Sequence, residues 1–321
     1  MKRPPAPRAL LCAPLIPLLL FVAAYLCALV ARAQDRPAAS PPAVEAVFYQ
    51  DVSWSPDGRR FACTMKRGES WDIYTMRADG AQPARLTTPP GKNFYTAWSP
   101  DGRRLAFGAR RDGDKTDIYT MNADGSRVVR LTHDAGNNAT PAWSPDGRRI
   151  AFISDRDGGG YQLYVMRADG TAQTRLLNDD ARHFNPQWSP DGRRLVYYTE
   201  RGDQQDQVFV VNADGTHPLR VTGGTGHNIF PAWSPDGARL LFTARRDGAT
   251  EFQMYTVRAD GSDLRRLAAQ PAFFARFAPD GRRVAFIAGK YPANAVYVMR
   301  ADGTQITQLA PPTLAPPTVR D

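Results

Sequence analysis

Two short strings recur in step along this chain. Ser-Pro-Asp-Gly begins at Ser55, Ser99, Ser144, Ser189 and Ser234, and a variant, Ala-Pro-Asp-Gly, begins at Ala278. The starts lie 44, 45, 45, 45 and 44 residues apart. Ala-Asp-Gly begins at Ala78, Ala123, Ala168, Ala213, Ala259 and Ala301, once per interval. A fixed period of this length marks units that cannot bury their own faces and must stack on their neighbours. No other feature limits the possible folds so strongly.

One unit, 141–174, reads as four short strands. Pro141-Ala142-Trp143 is a first strand, and Ser144-Pro145-Asp146-Gly147 is a turn. In that turn Pro presets φ, Asp accepts local backbone hydrogen bonds and Gly takes the left-handed position. Ile150–Ile153 and Leu163–Met166 are continuous apolar runs, as strands buried on both faces require. A more polar fourth strand follows each Ala-Asp-Gly turn, as at Val128–Thr132 and Leu264–Leu267, and suits an outer edge. Trp54, Trp98, Trp143, Trp188 and Trp233 share one place in five units, and Phe277 takes it in the sixth. This aromatic series is expected to pack between units. The fold class predicted is all-β: a six-bladed β-propeller of four-stranded antiparallel blades. Ring closure is expected either from Ala43–Phe48 adding a strand to the last blade or from side-chain packing alone.

The consensus PAWSPDGRRIAF…IYVMRADG…RLT closely resembles the repeat of the TolB-like propeller family, in all six units. The resemblance implies a bacterial envelope setting, with envelope proteins or lipoproteins as partners, no nucleic acid and a monomeric chain. TolB itself carries an α/β domain before its propeller. About ten residues separate the expected cleavage site from the first repeat here, so that domain is expected to be missing.

The N-terminus reads as an export signal. Lys2, Arg3 and Arg8 precede an uncharged run from Ala9 to Ala31, and Ala31-Arg32-Ala33 forms a cleavage site of the A-x-A kind. The expected division is a signal peptide at 1–33, a Pro/Ala linker at 34–43, the propeller at 44–310 and a Pro-rich disordered tail at 311–321. The periplasm is the expected destination; the alternative is an uncleaved anchor in the inner membrane, since the apolar run is long enough to span. The formal net charge is +9, of which +4 sits in the first 33 residues. The remainder favours acidic partners. Cys63 is the one cysteine beyond the signal, so neither a disulfide within the mature chain nor a cysteine zinc site is expected.

Catalytic motifs are not found: there is no G-x-S-x-G elbow, no H-E-x-x-H and no P-loop. The expected activity is therefore binding, with no cofactor, metal ligand set or catalytic residue. Variable loops on a rigid ring are where binding usually resides, and the repeated tight turns read as structural. Binding is thus expected on the face opposite the turns. Five residues before each aromatic anchor stand Tyr49, Asn93, Asn138, His183, Asn228 and Ala272. Asn93, Asn138, His183 and Asn228 are candidates for a polar ring at the channel mouth, with His227 beside them. Local turn capping is the competing role for the same side chains. His183 and His227, in adjacent units, lack the acidic third ligand that a metal site needs. Paired arginines after each turn (Arg59-Arg60, Arg103-Arg104, Arg148-Arg149, Arg193-Arg194, Arg282-Arg283) are expected to pair with the turn aspartates. Two alternatives remain: an enzyme, either a metal-dependent lyase or a glycan-active hydrolase, or a sensor of small ligands or glycans.

Overall fold

The computed structural model describes residues 47–309 except 89–90, 112, 134–135, 202–203, 247 and 291–292. The expected signal, linker and tail lie outside the described residues. So do residues 43–46 of the strand considered for ring closure.

The described residues form strands and turns with no helix, in a propeller arrangement. Four sheets have four antiparallel strands each, in simple chain order. A fifth has eight strands: two four-stranded antiparallel halves joined by one parallel pairing, Trp71 with Lys92. One sheet serves for all. Its strands are Asn138–Trp143, Arg149–Ser154, Gln162–Arg167 and Thr174–Arg175. Phe152 pairs with Tyr164 and Ala151 with Val165, so side chains on both faces of the middle strands are buried. The fourth strand is short and largely exposed, as an outer edge should be.

The core lies between sheets rather than within one. Ala142, Ala151 and Leu163 of one sheet pack on Trp188, Leu195, Tyr197 and Val211 of the next. The same arrangement joins Ala106 and Ile118 to Trp143, Ile150 and Phe152. Each large buried side chain contributes roughly 1.5–3 kcal/mol. Neighbouring sheets therefore depend on one another for stability.

The Ser-Pro-Asp-Gly turn explains itself atom by atom. Gly147 N–H donates to the Ser144 carbonyl at 2.9 Å, and Arg149 N–H donates to Ser144 Oγ at 2.9 Å. Asp146 Oδ1 accepts from the Arg148 backbone N–H at 3.0 Å and from Ser144 Oγ. Gly147 has φ of 67°, in the left-handed region. A Cβ there would meet only Pro100 of the preceding sheet's turn, at 3.4 Å. Gly147→Ala is expected to cost about 1 kcal/mol, chiefly from backbone strain. The urea midpoint checks this, and an unchanged midpoint would contradict the turn geometry. The Ala-Asp-Gly glycines are more constrained. A Cβ on Gly215 would lie 2.3 Å from the Leu176 carbonyl oxygen of the sheet before it.

Turn-to-turn contacts run along the chain and return to its start. Gly102 faces Pro56, Gly192 faces Pro145, Gly237 faces Pro190, and Gly58 faces Pro279. The first and last sheets join through side chains. Asn294 Oδ1 accepts from Tyr49 N–H at 2.6 Å, and Asn294 Nδ2 donates to the Tyr49 carbonyl at 2.8 Å. Trp54 Nε1 donates to the Arg276 carbonyl at 3.3 Å, much as Trp188 Nε1 does to that of Ala142 at 3.2 Å. The strand Phe48–Trp54 itself pairs with Arg60–Arg67.

Candidate functional site

The first strand of each repeat carries a bulge three residues before the aromatic anchor in most units. Tyr95, Thr140, Asn185, Phe230 and Phe274 hold φ of 49–53° there. For branched and aromatic residues this is a strained conformation, costing on the order of 1–3 kcal/mol. Asp51 occupies the same place in the first repeat, where the register shifts one residue earlier.

Asp51, Tyr95, Thr140, Asn185 and Phe274, with the strand ends beyond them, line a central pocket of about 350 Å³. Its lining runs from the bulge level to Pro56, Pro190, Pro235 and Pro279 of the turns, so it extends toward the turn face. Tyr95 and Phe274 lie at its inner end, with ring centroids 6.1 Å apart. Phe230 stacks on Phe274 at 4.0 Å, and Tyr198 meets Phe230 at 5.8 Å. Tyr95 and Phe274 thus give the pocket an aromatic floor, with Phe230 and Tyr198 packed behind them. Burial pushes the Tyr95 phenol up to about 12, so it stays a neutral donor.

Two charged groups line the pocket. The Arg276 guanidinium donates from Nη1 to the Ala275 carbonyl at 2.9 Å and to that of Phe230 at 3.5 Å. Burial draws it down to about 10 while Asp51 favours its charge, so it is a cation at neutral pH. Asp51 is 5% exposed. Its Oδ1 accepts from Thr64 N–H at 2.7 Å, and its Oδ2 accepts from both the backbone N–H and the hydroxyl of Thr96. Desolvation outweighs those bonds and raises its pKa. Thr140 and Asn185 also line the pocket, and their Oγ1 and Nδ2 are buried without a hydrogen-bond partner.

The residues singled out from sequence lie elsewhere. Asn93, Asn138, His183 and Asn228 are all buried, with at most 1% exposure. Each asparagine amide is engaged by its own chain. Asn93 Nδ2 donates to the Trp71 carbonyl at 3.0 Å, and Asn228 Nδ2 donates to that of Asp206 at 3.2 Å. Their Oδ1 atoms, with that of Asn138, accept from Arg111, Arg156 and Arg246. These side chains tie a first strand to the third strand that precedes it in the chain, so an incoming chain would have to break those bonds to reach them. His183 Nε2 lies 3.0 Å from Asp179 Oδ1, and its ring packs edge-on to Tyr197. His227 is partly exposed, with Nδ1 2.7 Å from Asp206 Oδ2. Each histidine has its own carboxylate. No group of three or more His, Cys, Asp or Glu among the described residues is placed to hold a metal ion.

The arginine pairs divide their work. In four of the five pairs the second arginine reaches the next sheet and covers its tryptophan. Arg104 lies over Trp143 at 4.6 Å, Arg149 over Trp188 at 4.4 Å, Arg194 over Trp233 at 4.8 Å, and Arg283 over Trp54 at 4.8 Å. The first of each pair (Arg59, Arg103, Arg148, Arg193, Arg282) is exposed on the turn face. Their backbone N–H groups bond to Asp57, Asp101, Asp146, Asp191 and Asp280. The hydroxyls of Ser55, Ser99, Ser144 and Ser189 at four of these turns, and the backbone N–H at all five, hold the carboxyls below their ordinary range.

Fold and pocket define an all-β propeller with a central cavity open toward its turns. A family profile described as the TolB beta propeller domain matches residues 88–205 and 175–316, well over half the chain, and the chain belongs to that family. Among solved structures it is similar to a putative TolB from Agrobacterium tumefaciens: 22% identity, TM-score 0.63, covering 79% of this chain and 90% of that one. TolB from Acinetobacter baumannii is 19% identical with TM-score 0.63, covering 81% of this chain and 62% of that one. An oligogalacturonate lyase in complex with manganese is 16% identical with TM-score 0.62, covering 84% and 79%. At these identities the likeness establishes the fold. No curated protein matches the chain. No helix among the described residues is long and apolar enough to cross a membrane.

Proposed function

We propose that this chain is a six-bladed propeller, exported to the periplasm, that acts as a protein-binding scaffold of the cell envelope. The eight-stranded sheet counts as two blades in this reading. The observation that carries the function is membership of the TolB propeller family. A rigid ring whose sheets are locked together by inter-sheet cores suits a scaffold that binds without rearranging. The sequence of 1–33 supports export, with an inner-membrane anchor as the alternative. Binding rather than catalysis is the expected activity, and a single copy is the expected state. The partly buried pocket favours one second reading: a sensor for a small ligand. A lyase or hydrolase at the same pocket is the third.

The full chain, tagged at its C-terminus and expressed in a bacterial host, is expected to fractionate with the periplasm or envelope. From envelope extract it should retain envelope proteins in stoichiometric amounts. Retention of nothing beyond an untagged control would overturn the scaffold reading.

A further inference from the structure

The central pocket contains more hydrogen-bond donors than the protein itself uses. Arg276 spends only Nη1 on backbone carbonyls, and its other N–H groups have no partner among the described residues. Asn185 is 5% exposed, lines the cavity, and has an Nδ2 without an acceptor. Thr140 Oγ1, also in the lining, has none either. A buried donor left unpaired costs about 1–3 kcal/mol, so the Asn185 amide and the Thr140 hydroxyl favour an acceptor supplied from outside, while the free N–H groups of the half-buried Arg276 stay open to one. The carboxylate already in the pocket does not supply it: the Asp51 oxygens bond to Thr64 and Thr96, and not to Arg276, Asn185 or Thr140.

The approach to the pocket has the same bias. Five exposed arginines stand on the turn face, the side toward which the pocket extends. The aspartates beside them carry charge of opposite sign, but each is committed to a backbone N–H of its own turn. The floor is aromatic, so the portion of a ligand that reaches it is apolar.

We infer that the pocket binds a carboxylate carried on a narrow apolar group, entering from the turn face and held by Arg276 and Asn185. A guanidinium and an amide together supply the charge-assisted, geometrically defined contacts that a carboxylate takes. The ligand is either a small organic acid or the free C-terminus of a peptide, since both offer that group. This inference stands whether or not the chain scaffolds other proteins, because it concerns the cavity alone.

Calorimetric titration of the full chain with phenylacetate, with a tripeptide ending in phenylalanine, and with its C-terminal amide tests it. Binding of phenylacetate and the peptide alike identifies an organic-acid site, and binding of the peptide alone identifies a chain-end site. The amide should bind at least about tenfold more weakly than the acid. Asn185→Asp keeps shape and tolerance of positive φ but places a negative charge where the donor was. Arg276→Gln removes the cation. Each should weaken carboxylate binding about tenfold or more, with near-ultraviolet circular dichroism unchanged. If the wild-type chain binds neither probe at millimolar concentration, or binds acid and amide equally, the inference fails. It fails too if a folded Asn185→Asp protein binds the acid as well as wild type does.

Discussion

Replacing Asp51 with alanine is expected to lower the free energy of unfolding by about 3–5 kcal/mol. The side chain accepts Thr64 N–H from its own half of the eight-stranded sheet and Thr96 N–H from the other half, so it ties the two halves together. Alanine leaves both amides buried without partners, each at about 1–3 kcal/mol, and opens a void beside them. The guanidinium midpoint should fall with little change in slope, and a loss under about 1 kcal/mol would show that water or relaxation replaces the carboxylate. The effect should also depend on pH. Burial raises the pKa of Asp51 above its unfolded value of 3.8, so the folded state holds the proton more tightly than the unfolded state. The group's contribution is therefore full below pH 3.8 and falls as pH rises through the folded pKa. The difference between wild type and variant should shrink over that window as pH climbs. The turn aspartates act in the opposite sense: their lowered pKa values give stability above pH 3.8 that is lost in acid. They are present in both proteins and cancel in the difference.

The period and the turn chemistry make most of this architecture legible in sequence. The apolar runs Ile150–Ile153 and Leu163–Met166 each gain one residue at either end in the folded strands, Arg149–Ser154 and Gln162–Arg167. Depth is not legible. Counting five residues back from each tryptophan finds Asn93, Asn138, His183 and Asn228 in register, but spacing does not say that the preceding sheet covers them. Nor does it show that Arg149 serves Trp188, since that stacking joins residues from different units. A usable signal for the pocket is present nonetheless. The residue before each aromatic anchor is Ser53, Ala97, Ala142, Gln187, Ala232 and Arg276. Five are small or neutral and one is a cation, at a position the propeller turns inward. Departures from the repeat mark this site better than the repeat itself does, because the consensus encodes what every unit needs to stack.

Ring closure is where the repeat rule must break, and Asn294→Leu is expected to cost about 2–4 kcal/mol there. Between consecutive sheets, an asparagine on the first strand donates to a carbonyl on the preceding third strand, as Asn228 does to Asp206. At the seam between last and first sheets the roles are exchanged. The amide belongs to the third strand, at Asn294, and it holds both the N–H and the carbonyl of Tyr49. Leucine matches the volume but leaves both backbone groups unpaired. Asn294→Asp separates the two bonds. It keeps an acceptor for Tyr49 N–H but sets a carboxylate against the Tyr49 carbonyl, so it should be destabilised at neutral pH. Stability should return as pH falls and the carboxyl regains a proton to donate. Hydrogen exchange would locate the loss: protection should fall first in Phe48–Trp54 and Ala293–Arg300. If neither variant loosens those strands, closure rests on the stacking of Arg283 over Trp54 and the packing of Gly58 on Pro279, contacts of kinds that recur between other sheets.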